Sequence, residues 1–341
     1  MLDKLKKYLY NNIYINIVQS SKNTKIYVEE VSHDGSSENY EEVIKSSEKS
    51  DIYEFINFCM RKSPISYISL LDPSLSQGAA PTCSLDDIKK YCELDDHEYV
   101  CVDSNWTYYT PKLDLLEIKG RYKKTGLDFI FSPFYMLKNF FADKVKGEIS
   151  LYILVNEDYM ALSIFDSSKL KFASLLDMQQ DDEGDDELVM DVDDEEELIL
   201  EELENNSVDL EGIDVDDDID ALDDFDDLDD LDSFDDIDDF DEEDEKDDVF
   251  ASTEKPLEDI VEQNTFGEDY HRFSLIQSAV NTFYKDPKFD GDFIQNAFIA
   301  DGIALSPEFK RFLEEEMFLN VVVRKIDIAQ ELCELAKAEK K

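Results

Sequence analysis

Four residues with the chemistry of a metal site lie close together: Cys83, Cys92, His97 and Cys101 fall within 19 residues of the chain. Thiolates and imidazoles hold zinc, but structural sites draw them from paired Cys-x2–4-Cys knuckles. Here the cysteines stand nine apart, and Cys101 sits between Val100 and Val102 in a stretch that reads as a strand. The expectation is ordinary thiols and no metal. The five cysteines, Cys59, Cys83, Cys92, Cys101 and Cys333, are odd in number in a chain long enough for a core. That points to reduced thiols, not a disulfide frame. For His33 and His271 the sequence points to no obvious carboxylate or nucleophile as a catalytic partner. A Ser–His–Asp set can assemble from distant positions, but no G-x-S-x-G elbow is present. Neither G-x-x-x-x-G-K-[ST] nor G-x-G-x-x-G occurs, and ten glycines in 341 residues are few for loops that cradle phosphate. No catalytic set emerges.

Charge narrows the partners. Of the net charge of −52, residues 181–250 carry −39, with 40 Asp and Glu against one Lys; the rest holds 45 acidic and 32 basic side chains, −13. A stretch of that kind repels nucleic acid and anionic lipid, so no direct nucleic-acid contact is expected, and a basic protein is its natural counterpart. Leu222, Phe225, Leu228, Leu231, Phe234, Ile237 and Phe240 recur every third residue. A period of three fits neither strand nor helix, since on a helix each step turns the stripe by ~60°. The stretch therefore reads as disordered: a solvated linker, an acidic–aromatic bait for a basic partner, or a mimic of DNA. EF-hand spacing with its central glycine is absent, which argues against calcium. No apolar run reaches the ~18–20 residues of a membrane span, and Met1–Tyr10 reads as neither signal peptide nor anchor.

The elements that would position any site alternate between strand and helix. Asn12–Val18 and Thr24–Val31 alternate apolar residues as a hairpin. Ile52–Met60 reads as a helix, Ile65–Leu71 as a buried strand, Gln77–Thr82 as a loop, and Ser84–Cys92 as a short helix. Tyr99–Val102, Trp106–Tyr109 and Leu127–Phe131 read as strands. Ser132-Pro133 and Ser306-Pro307 each place a capping serine before a proline at the first helical position. Glu148–Val155 and Met160–Phe165 form a second hairpin, with Leu170–Leu176 as a further strand. Beyond the acidic stretch, Tyr270–Tyr284 carries a helical stripe, Phe293–Ala300 and Phe318–Val323 read as strands, and Ile326–Lys340 as a closing helix. The expected organisation is an α/β block over 1–177, an acidic segment over 178–260, and a closing α/β block over 261–341.

This order of hairpin, helix, second hairpin and strand–Gly–helix resembles the actin-like ATPase fold, and within it the pilus-assembly proteins of the PilM kind and the cytoplasmic part of the type II secretion protein GspL. Gly126–Phe134 resembles the strand-to-helix passage before that family's second phosphate hairpin, and Phe298–Ser306 its nucleotide-side turn. The resemblance implies an actin-like (RNase H-like) α/β fold of two subdomains, interrupted by a long disordered acidic insertion. It places a nucleotide pocket at Asn16, Ser20, Ser21, Asn156, Asp301 and Gly302. In that pocket Asn16 replaces the metal-positioning acid, Val18 the glycine, Leu154-Val155-Asn156 lacks both, and only Gly302 of the third turn remains. Without the acids, metal and water are unsupported, and without the glycines phosphate is crowded. The expectation is no catalytic residue, no metal and no cofactor, with ATP as the ligand of the alternative.

The resemblance further implies a cytoplasmic scaffold, peripheral at the inner membrane through its partner alone. It would serve a type IV pilus, type II secretion or DNA-uptake machine and bind the cytoplasmic tail of an inner-membrane assembly protein. Tyr67, Trp106, Tyr108 and Tyr109 are the expected partner-binding aromatics, with Trp106 reachable by solvent between Asn105 and Thr107. The alternatives are an active actin-like ATPase with divergent loops, and an acidic chaperone or DNA mimic that acts on a basic protein through residues 181–250.

Overall fold

The protein is described by a computed structural model covering residues 10–178, 257–289 and 291–340. The readings made of 181–250, including its triplet period, lie outside the described residues. In chain order the elements are β1 (Asn12–Gln19), β2 (Asn23–Val31), β3 (Ser37–Lys45), α1 (Lys49–Met60), β4 (Ser66–Leu71), β5 (Gly78–Ala80), α2 (Leu85–Ile88), β6 (His97–Val102), β7 (Trp106–Pro111), α3 (Lys112–Arg121), β8 (Phe129–Phe131), α4 (Pro133–Phe140), β9 (Ser150–Val155), β10 (Tyr159–Asp166), β11 (Lys169–Asp177), α5 (Leu257–Lys285), β12 (Asn296–Asp301), α6 (Pro307–Glu316), β13 (Asn320–Lys325) and α7 (Ile328–Glu339). Both Ser-Pro helix starts form as read. Ser132 Oγ accepts the Phe134 N–H and Ser306 Oγ the Phe309 N–H, each with proline in the first turn.

Two five-stranded sheets share one topology. The first runs β3-β2-β1-β4-β8 and the second β11-β10-β9-β12-β13. In each, three strands form an antiparallel meander, and two more are added parallel to the first strand of that meander. That order, made twice by one chain, is the actin-like, RNase H-like arrangement. A third sheet, β5-β7-β6, is inserted between β4 and β8. No helix among the described residues is long and apolar enough to cross a membrane.

Alternation along the strands separates the core. Ile13, Ile15 and Ile17 of β1 pack with Ile52, Ile56 and Cys59 of α1. Tyr14 and Val18, on the opposite face, meet Ala329, Leu332, Cys333 and Ala336 of α7. The closing helix, which follows the last strand of the second sheet, thus lies on the first. It is tied there by Lys337 to the buried Glu29 at 2.8 Å and by Lys25 to its N-cap Asp327 at 3.0 Å. On the second sheet Leu151, Ile153, Met160 and Leu162 pack with α5 and α6.

The cysteines depart from expectation, because Cys83 and Cys101 form a disulfide. Register explains it. Cys101 lies opposite Thr107, whose hydroxyl donates to the Thr82 carbonyl at 2.7 Å, which draws Cys83 to a Cα–Cα distance of 5.5 Å from Cys101. Cys59, Cys92 and Cys333 are free thiols. His97 bonds the Glu93 carbonyl through Nδ1, and among the described residues no group of three or more His, Cys, Asp or Glu is placed to hold a metal.

Candidate functional site

The resemblance puts phosphate loops at the β1–β2 and β9–β10 turns, and the fold brings these two turns into contact. Ser21 donates its backbone N–H and its hydroxyl to the two carboxylate oxygens of Asp158, each at 2.6 Å. Beside the turns lies a cavity of about 250 Å³ whose walls include Ser20, Asn23, Lys25, Asn156, Gly302 and Asp327. Three of the six expected pocket residues, Ser20, Asn156 and Gly302, therefore share one cleft. Asn16, Ser21 and Asp301 do not line it.

Apart from one amide nitrogen of Asn156, the side-chain polar groups of those six residues are engaged within the chain. Asn16 is fully buried in β1; its amide nitrogen donates to the Tyr14 and Tyr27 carbonyls, and its oxygen accepts the Ser69 hydroxyl at 2.6 Å. It brackets β1, β2 and β4 from inside the sheet. Ser20 Oγ donates to the Asn23 carbonyl. The carboxylate of Asp301 accepts the Ile303 and Leu305 N–H groups and shapes the turn after β12. Gly302 is needed for packing: a Cβ there would stand 2.7 Å from the Val155 carbonyl oxygen and 2.8 Å from Ile328 Cδ1. Asn156 keeps one buried amide nitrogen without a hydrogen-bond partner.

A metal–triphosphate does not fit this set. Lys25, the cation of the cleft wall, is held by Glu41 at 2.9 Å and Asp327 at 3.0 Å. Burial opposes its charge, but those two carboxylates prevail and raise its pKa above the ordinary lysine value. Glu157 and Asp327 add negative charge where phosphate would lie. One open amide donor is far short of the several N–H groups and free cation that cradle a polyphosphate.

The four aromatic residues separate. Trp106 is fully buried, with its ring 5.9 Å from Phe165, so it is a core residue and not a solvent-reachable probe. Its neighbour Thr107, on the central strand of the same sheet, is fully buried too. Tyr109 packs over Gly78 and donates its hydroxyl to the Tyr91 carbonyl. Tyr67 lies against Tyr14, with the Lys340 ammonium 4.3 Å from its ring centroid.

Tyr108 alone opens onto a groove. Two adjoining cavities, about 300 Å³ and about 420 Å³, share Val100, Tyr108, Asp128, Phe129 and Ile130. β6 and β8, which supply Val100 and Phe129–Ile130, are each the outer strand of their sheet. Val100 is 49% exposed. Asp72, Glu98, Asp103, Asp128 and Glu339 stand against Lys119 along the walls, so the groove is acidic. Phe129 and Ile130 escaped the aromatic reading because Leu127–Phe131 has the composition of a buried strand, whereas β8 is a three-residue edge.

Asp72 was not singled out either. It is buried at the groove, where Oδ2 accepts the Thr110 hydroxyl at 2.7 Å and Oδ1 the Ser74 N–H at 3.0 Å. Burial pushes its carboxyl above the usual range in spite of those bonds. Ser132 donates to Gln77 Oε1, and Gln77 donates to the Asp72 carbonyl, so a polar network ties the ends of β4 and β8 to the inserted sheet. The triad chemistry left open for His271 does not assemble. Ser306 Oγ and Arg272 both bond Asp269, while the His271 Nε2 is buried without a partner.

Among solved structures the chain is similar to a Bacteroides thetaiotaomicron protein with actin-like ATPase fold and unknown function, at 9% identity over 98% of this chain and 99% of that one, TM-score 0.49. It is similar to a PilM–PilN type IV pilus biogenesis complex at 8% identity over 94% of each chain, TM-score 0.48. The ethanolamine utilization protein EutJ from Carboxydothermus hydrogenoformans shares 8% identity over 97% of this chain and 96% of that one, TM-score 0.37. No curated protein matches. Residues 10–138 match a Domain of unknown function (DUF8569). Residues 151–341, more than half of the chain, match a second family model, and the protein belongs to that family, a Domain of unknown function (DUF8341).

Proposed function

We propose that this protein is a non-catalytic scaffold that binds an extended segment of a membrane-anchored assembly component in the groove beside β8. The machine is of the type IV pilus, type II secretion or DNA-uptake kind, and the segment is that component's cytoplasmic tail. The observation that carries the reading is the presence of two strand edges, unpartnered among the described residues, beside the apolar wall of Val100, Tyr108, Phe129 and Ile130. An added strand gains main-chain hydrogen bonds from an edge and specificity from the side-chain pockets beside it. Cytoplasmic tails of membrane proteins carry an excess of Lys and Arg, which suits walls lined by Asp72, Glu98, Asp103, Asp128 and Glu339. The engaged polar groups of the cleft count against the alternative, an active ATPase.

A photo-crosslinking amino acid at Val100, in cells that make the protein natively, should capture a membrane-fraction protein through its tail, and Ile130→Glu should abolish the capture. Absence of any such product sinks the groove reading. Magnesium-dependent ATP turnover that disappears in Asp301→Ala sinks the non-catalytic one.

A further inference from the structure

We infer that the opposite edge of the first sheet is a second docking surface, which takes an extended cationic segment of another protein as an added strand on β3. It is independent of the groove beside β8, because β3 and β8 are the two outer strands of the same sheet. β3 pairs with β2 residue for residue over its nine positions with no bulge, so its outer edge is regular and, among the described residues, unpaired. Long regular edges are usually blunted or covered because they invite strand addition.

Beside this edge lies a trough of about 650 Å³ between β3 and α1. Asp51, Glu54, Phe55 and Phe58 follow i, i+3, i+4, i+7 on α1 and so form one stripe along it. Phe58 is 58% exposed. Charges alone would serve to protect an edge; an exposed phenylalanine inside the charged rim does not. An edge strand walled by a helix is the geometry in which extended peptides are taken up by strand addition.

Charge settles the occupant. Glu42, Glu48, Asp51 and Glu54 line the trough against one cation, Lys45. None of these four carboxylates has an ion-pair partner among the described residues, whereas Glu30 and Glu41 nearby are paired with Lys62 and Lys25. The stripe from Glu48 to Phe58 rises about 15 Å along the helix, the span of four or five strand residues. It therefore matches two cationic side chains followed by one apolar one on the α1-facing side of the added strand. The four carboxylates at this edge attract a cationic segment and repel an acidic one such as residues 181–250 of this chain.

The test uses the full chain and a fluorescent peptide, Lys-Val-Lys-Val-Phe-Val-Lys, followed by anisotropy. Binding should weaken at least tenfold in Asp51→Lys with Glu54→Lys, and by less than twofold in Glu148→Lys with Glu316→Lys, which changes the same charge elsewhere. Methylating alternate backbone nitrogens of the peptide, which removes its strand donors, should abolish binding, and circular dichroism should show both variants folded. Three results overturn the inference: equal weakening in the two double variants, full binding by the methylated peptide, or self-association of the chain that Phe58→Ala disperses.

Discussion

In the cleft between the two hairpin turns the polar groups are spent on the chain itself, whereas in the groove beside β8 two strand edges are not. Ser21 is bonded to Asp158, Lys25 to Glu41 and Asp327, and Asp301 to its own turn. A ligand entering there would have to break bonds that already exist, and its net gain would be small. A strand added at β6 or β8 would meet main-chain edges that no other strand among the described residues holds. The cleft and the groove thus offer very different prospects for binding: in the first the polar side chains are committed, and in the second two outer strands keep an open main-chain edge among the described residues.

That comparison breaks first at Trp106. If the residue belongs to the core and not to the groove, Trp106→Ala should cost about 3–5 kcal/mol in urea unfolding, and native tryptophan emission should resist acrylamide quenching. Stability close to that of the parent would return Trp106 to the surface. Next is Gly302→Ala. The Cβ contact with the Val155 carbonyl oxygen should cost about 1–3 kcal/mol through overpacking. A variant as stable as the parent would mean that the glycine is not there to let two backbones approach.

Lys337→Ala probes the latch of α7 on the first sheet and should cost about 1–3 kcal/mol, because it leaves the buried Glu29 carboxylate without its partner. Burial works to raise the Glu29 pKa, but the Lys337 hydrogen bond and charge prevail and hold it below the ordinary value. A depressed carboxylate stabilises the fold above its unfolded pKa and loses that contribution as pH falls through the folded pKa. The gap between parent and variant should therefore close in acid. A gap constant with pH would assign Lys337 a packing role only. The smallest effect is expected at the exposed clasp, where Asp158→Ala should cost about 0.5–1 kcal/mol and leave ATP turnover at background. Turnover that appears on opening the clasp would show the cleft to be a blocked active site, not an abandoned one.

Much of the fold was legible because its strands carry regular burial. Ile13, Ile15 and Ile17 alternate, and both Ser-Pro helix starts are local devices that need no tertiary partner. β3 escaped because it is an edge with exposed residues on both faces, so no alternation marks it. α3 escaped because Leu113 and Leu116 point to solvent, which leaves no clean stripe. The disulfide was invisible because an 18-residue separation says nothing of the cross-strand register that brings Cys83 to Cys101.

By itself the sequence determined the strand and helix alternation and the location of the charge, since each is a matter of residue type and near neighbours. Only the tertiary structure decided that Asn16 is a buried bracket, that Trp106 is core and that Ser21 meets Asp158 across 137 positions of chain. The same holds for the first sheet, whose outer strands β3 and β8 have no further neighbour strand among the described residues. Whether a strand edge is free depends on which strands pair beside it, and pairing is a long-range outcome that local composition does not encode.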